Sequence, residues 1–91
     1  MKLYDVLINI KNKEDFAKLF EDLCTYQEIE NMEQRLECAQ LLLEGETYTQ
    51  VIEKTEVSSA TLSRVSRCIR HGSGGYSEVL KGMMDSADKR D

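Results

Sequence analysis

Between Gly45 and Gly72 the chain writes two short amphipathic segments with three residues between them. Thr47-x-x-Gln50 is a capping box. The hydroxyl takes one free backbone N–H at a helix start while the side-chain amide reaches back to another. It opens a helix expected over 48–55, with Tyr48, Val51 and Ile52 facing inward. Ser58 is placed to cap the next helix, expected over 59–71. That helix has Leu62, Val65 and Ile69 on its inner face and Ser59, Ala60, Ser63, Arg64 and Arg67 on its outer face. Two short helices joined by so brief a turn suggest a helix-turn-helix. Val51, Thr55, Val57, Leu62 and Val65 stand where such a pair needs apolar or small residues.

The rest of the chain also reads as helix. It contains no proline. Leu3, Val6, Leu7 and Ile10 recur at helical spacing, and Asn12 can cap a second helix carrying Phe16, Leu19, Phe20 and Leu23. Thr25-x-x-Glu28, another capping box, opens the longest helix, expected over 26–44. Ile29, Met32, Leu36, Ala39 and Leu43 line one face of it; Cys38, Leu41 and Leu42 widen that face. A surface this broad packs on both sides. Gly45 ends the helix, because glycine takes a left-handed cap readily. "HGSGG" breaks the chain, and Tyr76, Val79, Leu80, Met83 and Met84 imply a last helix.

The expected architecture is all-α, about six helices in a single domain over 1–91. Residues 1–45 hold the dimerisation helices, 46–71 the helix-turn-helix, 72–85 a loop and the last helix, and 86–91 a polar, fraying tail. A chain of 91 residues without tryptophan builds a thin core, and a partner subunit can supply the missing burial.

Charge narrows the function. Residues 1–56 carry 6 bases against 13 acids, whereas residues 57–77 carry Arg64, Arg67 and Arg70 and no acid. The net charge of −5 argues weakly against a generic nucleic-acid binder. Its distribution argues for one local strip that tolerates a polyanion. Ser58, Ser59, Thr61 and Ser63 are small enough to let a helix enter a groove, and their hydroxyls can bond phosphate or base edges. Ala60 or the Thr61 methyl can touch a thymine methyl; Arg64 and Arg67 can reach phosphate or guanine. Thr49, Gln50 and Lys54, on the first helix of the pair, complete the expected DNA-binding set.

Other classes are weaker. The single histidine, His71, has no nucleophile–base partner in the sequence, so an enzyme is not expected. Cys24, Cys38 and Cys68 lack metal-ligand spacing and are read as three core or half-buried thiols. No metal and no cofactor are expected. No apolar run nears the roughly 18 residues of a membrane span, and the N-terminus lacks a signal-peptide cleavage site; the expected location is cytoplasmic. "HGSGGY" has two readings, a phosphate-binding nest or a helix stop, of which the stop is preferred. A helix-turn-helix that docks on a protein partner stands as the alternative function.

The segments "DFAKLFEDLCT", Arg35, "LLLEGETYTQV", "SSATLSRVSR" and "GGY" resemble the Trp repressor-like family, in particular its small YerC/YecD-type members. The resemblance runs from about Phe16 to Tyr76. It implies an intertwined homodimer, a transcriptional repressor acting on a palindromic operator. Phe16, Leu19, Phe20, Leu23, Ile29, Met32 and Leu36 would form the dimer core. Two half-sites about 34–36 Å apart need two recognition helices.

Arg35 and Arg64 match the pair of arginines that holds the corepressor in the Trp repressor. Arg35 has a second reading, a pair with Glu33 or Glu37 or with the partner subunit. Val65 replaces a glycine that leaves room for the indole there, and Cys68 replaces a serine near the ligand, so tryptophan is not the expected effector. Glu56 stands where a turn glycine is usual, and Ile52 where an alanine is usual at the tight helix contact.

Overall fold

The computed structural model describes residues 1–88; Lys89–Asp91, the end of the polar tail, lie outside the described residues. Six α-helices and one π-helical turn follow one another: α1 (Leu3–Ile8), α2 (Lys13–Leu23), α3 (Tyr26–Leu43), α4 (Tyr48–Thr55), α5 (Ser59–His71), the π turn (Tyr76–Leu80) and α6 (Lys81–Asp88). The chain divides into two compact units, residues 1–31 and residues 32 onward, with the boundary inside α3.

Local chemistry sets the helix ends. Asn12 Oδ1 accepts the Asp15 N–H at 2.8 Å and starts α2. At the head of α3, the Glu28 N–H reaches Thr25 Oγ1 at 3.1 Å and the Thr25 N–H reaches the Glu28 carboxylate at 2.9 Å. The end of α3 is a Schellman turn. Gly45 sits at φ +93°, the Gly45 N–H bonds the Leu42 carbonyl and the Glu46 N–H bonds the Leu41 carbonyl. A side chain at Gly45 would be strained in that left-handed conformation.

In the unit of residues 1–31, none of the described residues is buried. The Phe16 and Phe20 rings lie 5.0 Å apart on α2, an i,i+4 pair on one face. Leu3, Tyr4, Ile8, Phe16, Leu23 and Tyr26 are exposed.

The buried apolar core belongs to the second unit. Cys38 and Ala39 of α3, Val51 of α4, Val57 of the turn, and Leu62 and Val65 of α5 form one cluster. Leu41, Leu42, Ile69, Tyr76 and Leu80 pack around it. Each fully buried aliphatic side chain contributes about 1.5–3 kcal/mol.

The structure differs from the sequence reading in several places. Tyr48 and Ile52, expected to face inward, are 45% and 38% exposed. Val51 alone of that trio is buried, because an eight-residue helix offers little more than one row of side chains to a single neighbour. Cys68, expected to be at least half-buried, is exposed on α5. The segment from Tyr76 begins as a π turn and not as an α-helix, and the helix after it runs to Asp88, into the expected tail. Val79 and Met83, two of the residues that implied a last helix, are exposed.

Candidate nucleic-acid interface

Two caps and one strained turn hold α4 against α5. At the head of α4, Thr47 Oγ1 accepts the Gln50 N–H at 3.2 Å and Gln50 Oε1 accepts the Thr47 N–H at 2.8 Å. Glu56 closes α4 in the left-handed region, φ 59° and ψ 20°, the single described non-glycine residue with positive φ. Within that turn, Thr55 Oγ1 donates to the Val51 carbonyl at 2.7 Å and accepts the Val57 N–H at 3.3 Å. Ser58 Oγ then accepts the Thr61 N–H at 3.1 Å and starts α5.

The buried side of the pair is Val51, Val57, Leu62 and Val65. A further tie was not expected from sequence: Tyr48 Oη donates to Ser66 Oγ, linking α4 directly to α5. Ser66 is only 8% exposed, and this bond satisfies its hydroxyl.

The outer face of α5 presents Ser59, Ala60, Ser63, Arg64 and Arg67, all exposed. No carboxylate stands on that helix, and Arg70 and His71 complete its last turn. Among the described residues, neither Arg64 nor Arg67 is in an ion pair. Guanidinium groups in that state can make bidentate bonds to phosphate or to a guanine edge.

The other expected contact residues divide by what they already bond. Thr49 on α4 is exposed. The Gln50 amide oxygen is committed to the helix cap. Lys54 Nζ lies 2.6 Å from Glu46 Oε1, so its charge is matched within the chain. Ser58 donates to Thr61 Oγ1 at 3.0 Å, so those two hydroxyls are engaged with one another. Ser59, Ala60, Ser63, Arg64 and Arg67 form the remaining open surface.

Arg35 is half-buried on α3, and among the described residues it forms no ion pair with Glu33 or Glu37. Val65 is 1% exposed, its side chain placed in the core. An open apolar groove of about 530 Å³ lies along Leu36, Cys68, Tyr76, Val79 and Leu80, with Gly72, Ser73 and Gly75 at its edge. Beside it, a Cβ at Gly74 would come within 3.5 Å of the Glu78 carboxylate.

Of the residues expected in a dimer core, Leu19, Phe20, Ile29 and Met32 are half-buried; Phe16, Leu23 and Leu36 are exposed. Among the described residues no helix is long and apolar enough to cross a membrane, and no cluster of potential metal ligands occurs.

The family profile described as Trp repressor protein matches residues 1–84. The uncharacterised protein YerC of Bacillus subtilis is 40% identical over 79 residues, spanning 87% of this chain and 76% of its own. A crystal structure of a Trp repressor candidate from Staphylococcus aureus superposes with a TM-score of 0.84 at 36% identity, covering 89% of this chain and 81% of its own. A TrpR-like protein from Eubacterium eligens gives a TM-score of 0.84 at 38% identity, covering 89% of this chain and 84% of its own.

Proposed function

The chain belongs to the Trp repressor family, a family of non-enzymatic regulators, and on that premise we propose that it is a sequence-specific DNA-binding repressor that acts as a homodimer on a palindromic operator. The observation that carries this reading is the outer face of α5. An otherwise acidic chain keeps there a surface of small hydroxyls and two open arginines, free of carboxylates. An acid on that face would oppose a polyanion.

The role of each residue follows from size and charge. Ser59, Ala60 and Ser63 let the backbone of α5 approach the floor of the major groove. Arg64 and Arg67, less than a turn apart, reach base edge or phosphate. Thr49 of α4 meets the backbone at the groove edge. The two copies needed for one palindrome meet through Phe16, Leu19, Phe20, Leu23, Ile29, Met32 and Leu36, residues that one protomer leaves exposed or half-covered. Repression comes from occupying promoter DNA.

The test is selection from random-sequence DNA with the purified chain at about 0.1 M salt, where long-range attraction is screened to roughly 10 Å. The expected product is a palindrome with half-sites one helical turn apart. A second reading, docking of α5 on a protein, is favoured by the net charge of −5. It predicts no enriched sequence and a salt dependence of DNA binding near zero.

A further inference from the structure

α4 carries one basic residue, Lys54, and its charge is already matched. We propose that Glu46 is a specificity-determining residue of the DNA-binding surface. It holds Lys54 on its own carboxylate and so withholds the ammonium from the phosphate backbone. The inference rests on the DNA-binding reading above and names how that surface limits its non-specific affinity.

The geometry separates this pair from an ordinary surface contact. Lys54 Nζ stands 2.6 Å from Glu46 Oε1, and the Glu46 side chain is 22% exposed. The other ion pair among the described residues, Lys18–Glu14, is longer at 3.7 Å, and the Glu14 side chain is 80% exposed. Water and salt screen an open pair of that kind almost completely. Lys54 is 53% exposed, but its pair with Glu46 is shorter and its acid less exposed, so salt weakens it less.

Glu46 is also fixed at its root. Its N–H bonds the Leu41 carbonyl in the turn that ends α3, and it directly precedes the cap residue Thr47. Lys54 lies at the opposite end of α4, in the last turn. The pair therefore spans the helix from entrance to exit. Glu44 adds a second negative charge near the ammonium. The hydrogen bond that Lys54 donates to Glu46 is the chief cause that holds its amine above the ordinary lysine range.

A helix-turn-helix lays its first helix across the DNA backbone. Lys54 is the residue of that helix which would meet phosphate. To do so it would leave Glu46 without its cation and close to a polyanion. Retaining the pair avoids that repelled charge. Phosphate neutralisation is then left to Arg64 and Arg67 on α5, and discrimination between sequences gains relative to general attraction.

Four chains test this: the native protein, Glu46→Gln, Lys54→Gln and the double variant. Each is titrated with a mixed-sequence DNA duplex two helical turns long, from about 0.05 to 0.2 M salt. Glutamine keeps the size of Glu46 and removes its charge; Glu46→Ala serves as a second variant. Glu46→Gln is expected to steepen the dependence of log affinity on log salt by about 0.9, so that a tenfold dilution of salt strengthens it about eightfold more than the native chain. Lys54→Gln alone is expected to leave the native slope unchanged, and the double variant to return to it.

Three results overturn the proposal. One is a native slope flattened by Lys54→Gln, which would put Lys54 on phosphate already. Another is steepening that survives in the double variant, which would make Glu46 a through-space repeller. The third is an unchanged slope in Glu46→Gln and Glu46→Ala. A native chain that binds no duplex at any salt overturns the DNA-binding reading itself and this inference with it.

Discussion

Tyr48 Oη donates its hydrogen bond to Ser66 Oγ, fastening the first turn of α4 to the middle of α5. The two residues are 18 apart in sequence, and their contact exists only once the helices cross. Tyr48→Phe keeps the ring and leaves the buried Ser66 hydroxyl without that donor. It is expected to destabilise by about 0.5–1.5 kcal/mol, read as a lowered midpoint in thermal or denaturant unfolding. An unshifted midpoint would mean that water replaces the phenol at no cost.

Glu56 stands at φ 59°, a conformation that costs an L-residue about 1–2 kcal/mol. Glycine occupies it without a Cβ clash but loses more chain entropy on folding. Glu56→Gly is therefore expected to gain about 1 kcal/mol and to raise Tm by roughly 4–8 °C. It also removes an acid beside the proposed DNA surface, so DNA affinity should rise. Calorimetry checks the first and a binding titration the second.

Arg64 is exposed and, among the described residues, is in no ion pair. Arg64→Ala should leave helix content and melting unchanged. If the guanidinium reads a base, affinity for the selected operator falls by about 1–3 kcal/mol and specificity relaxes at one position. Equal weakening on every sequence would make Arg64 a phosphate contact.

Leu36 is 47% exposed in the protomer, on α3 and at the wall of the apolar groove. An aspartate there is tolerated by one chain alone, because water reaches it. In a dimer that covers Leu36 the same aspartate is a buried charge. Leu36→Asp is expected to sediment as a folded monomer; a variant that stays dimeric removes Leu36 from the interface.

The Glu28 carboxyl is held below the ordinary glutamate range, first by the Thr25 N–H and second by the Thr25 side chain. A group lowered by folding stabilises the native state above its unfolded value. That contribution is lost as pH falls through the lower, folded value. An NMR titration should show the Glu28 midpoint below those of freely solvated glutamates. Because the backbone donor is the larger cause, Thr25→Ala should return it only part of the way.

The helix ends were legible because their chemistry is local. Asn12, Thr25, Thr47 and Ser58 each find a backbone partner within three residues, a distance that sequence alone fixes. The inner rows of α4 and α5 were legible at Val51, Leu62 and Val65, where helical spacing and apolar character agree. Ile52 was misread because periodicity gives the angle around a helix and not the size of the neighbour facing it. The Tyr48–Ser66 bond and the Glu46–Lys54 pair join groups 18 and 8 residues apart, and no local rule relates such positions. Cys68 was read from the habits of its residue type, while its position on α5 decided its exposure.

The unit of residues 1–31 contains no buried side chain, and that has a consequence for the order of events during synthesis. A ribosome makes those residues before it makes the core at Cys38, Val51, Leu62 and Val65. The part of the chain born first is thus the part with the least reason of its own to fold first. Its helices wait in the open with Leu3, Ile8, Phe16 and Leu23 uncovered until another surface reaches them. When two chains are translated side by side from one message, their N-terminal segments meet earlier than those of chains already released. For the homodimer proposed above, this order predicts that assembly begins on the polysome, with a yield that follows the spacing of ribosomes as well as the number of messages.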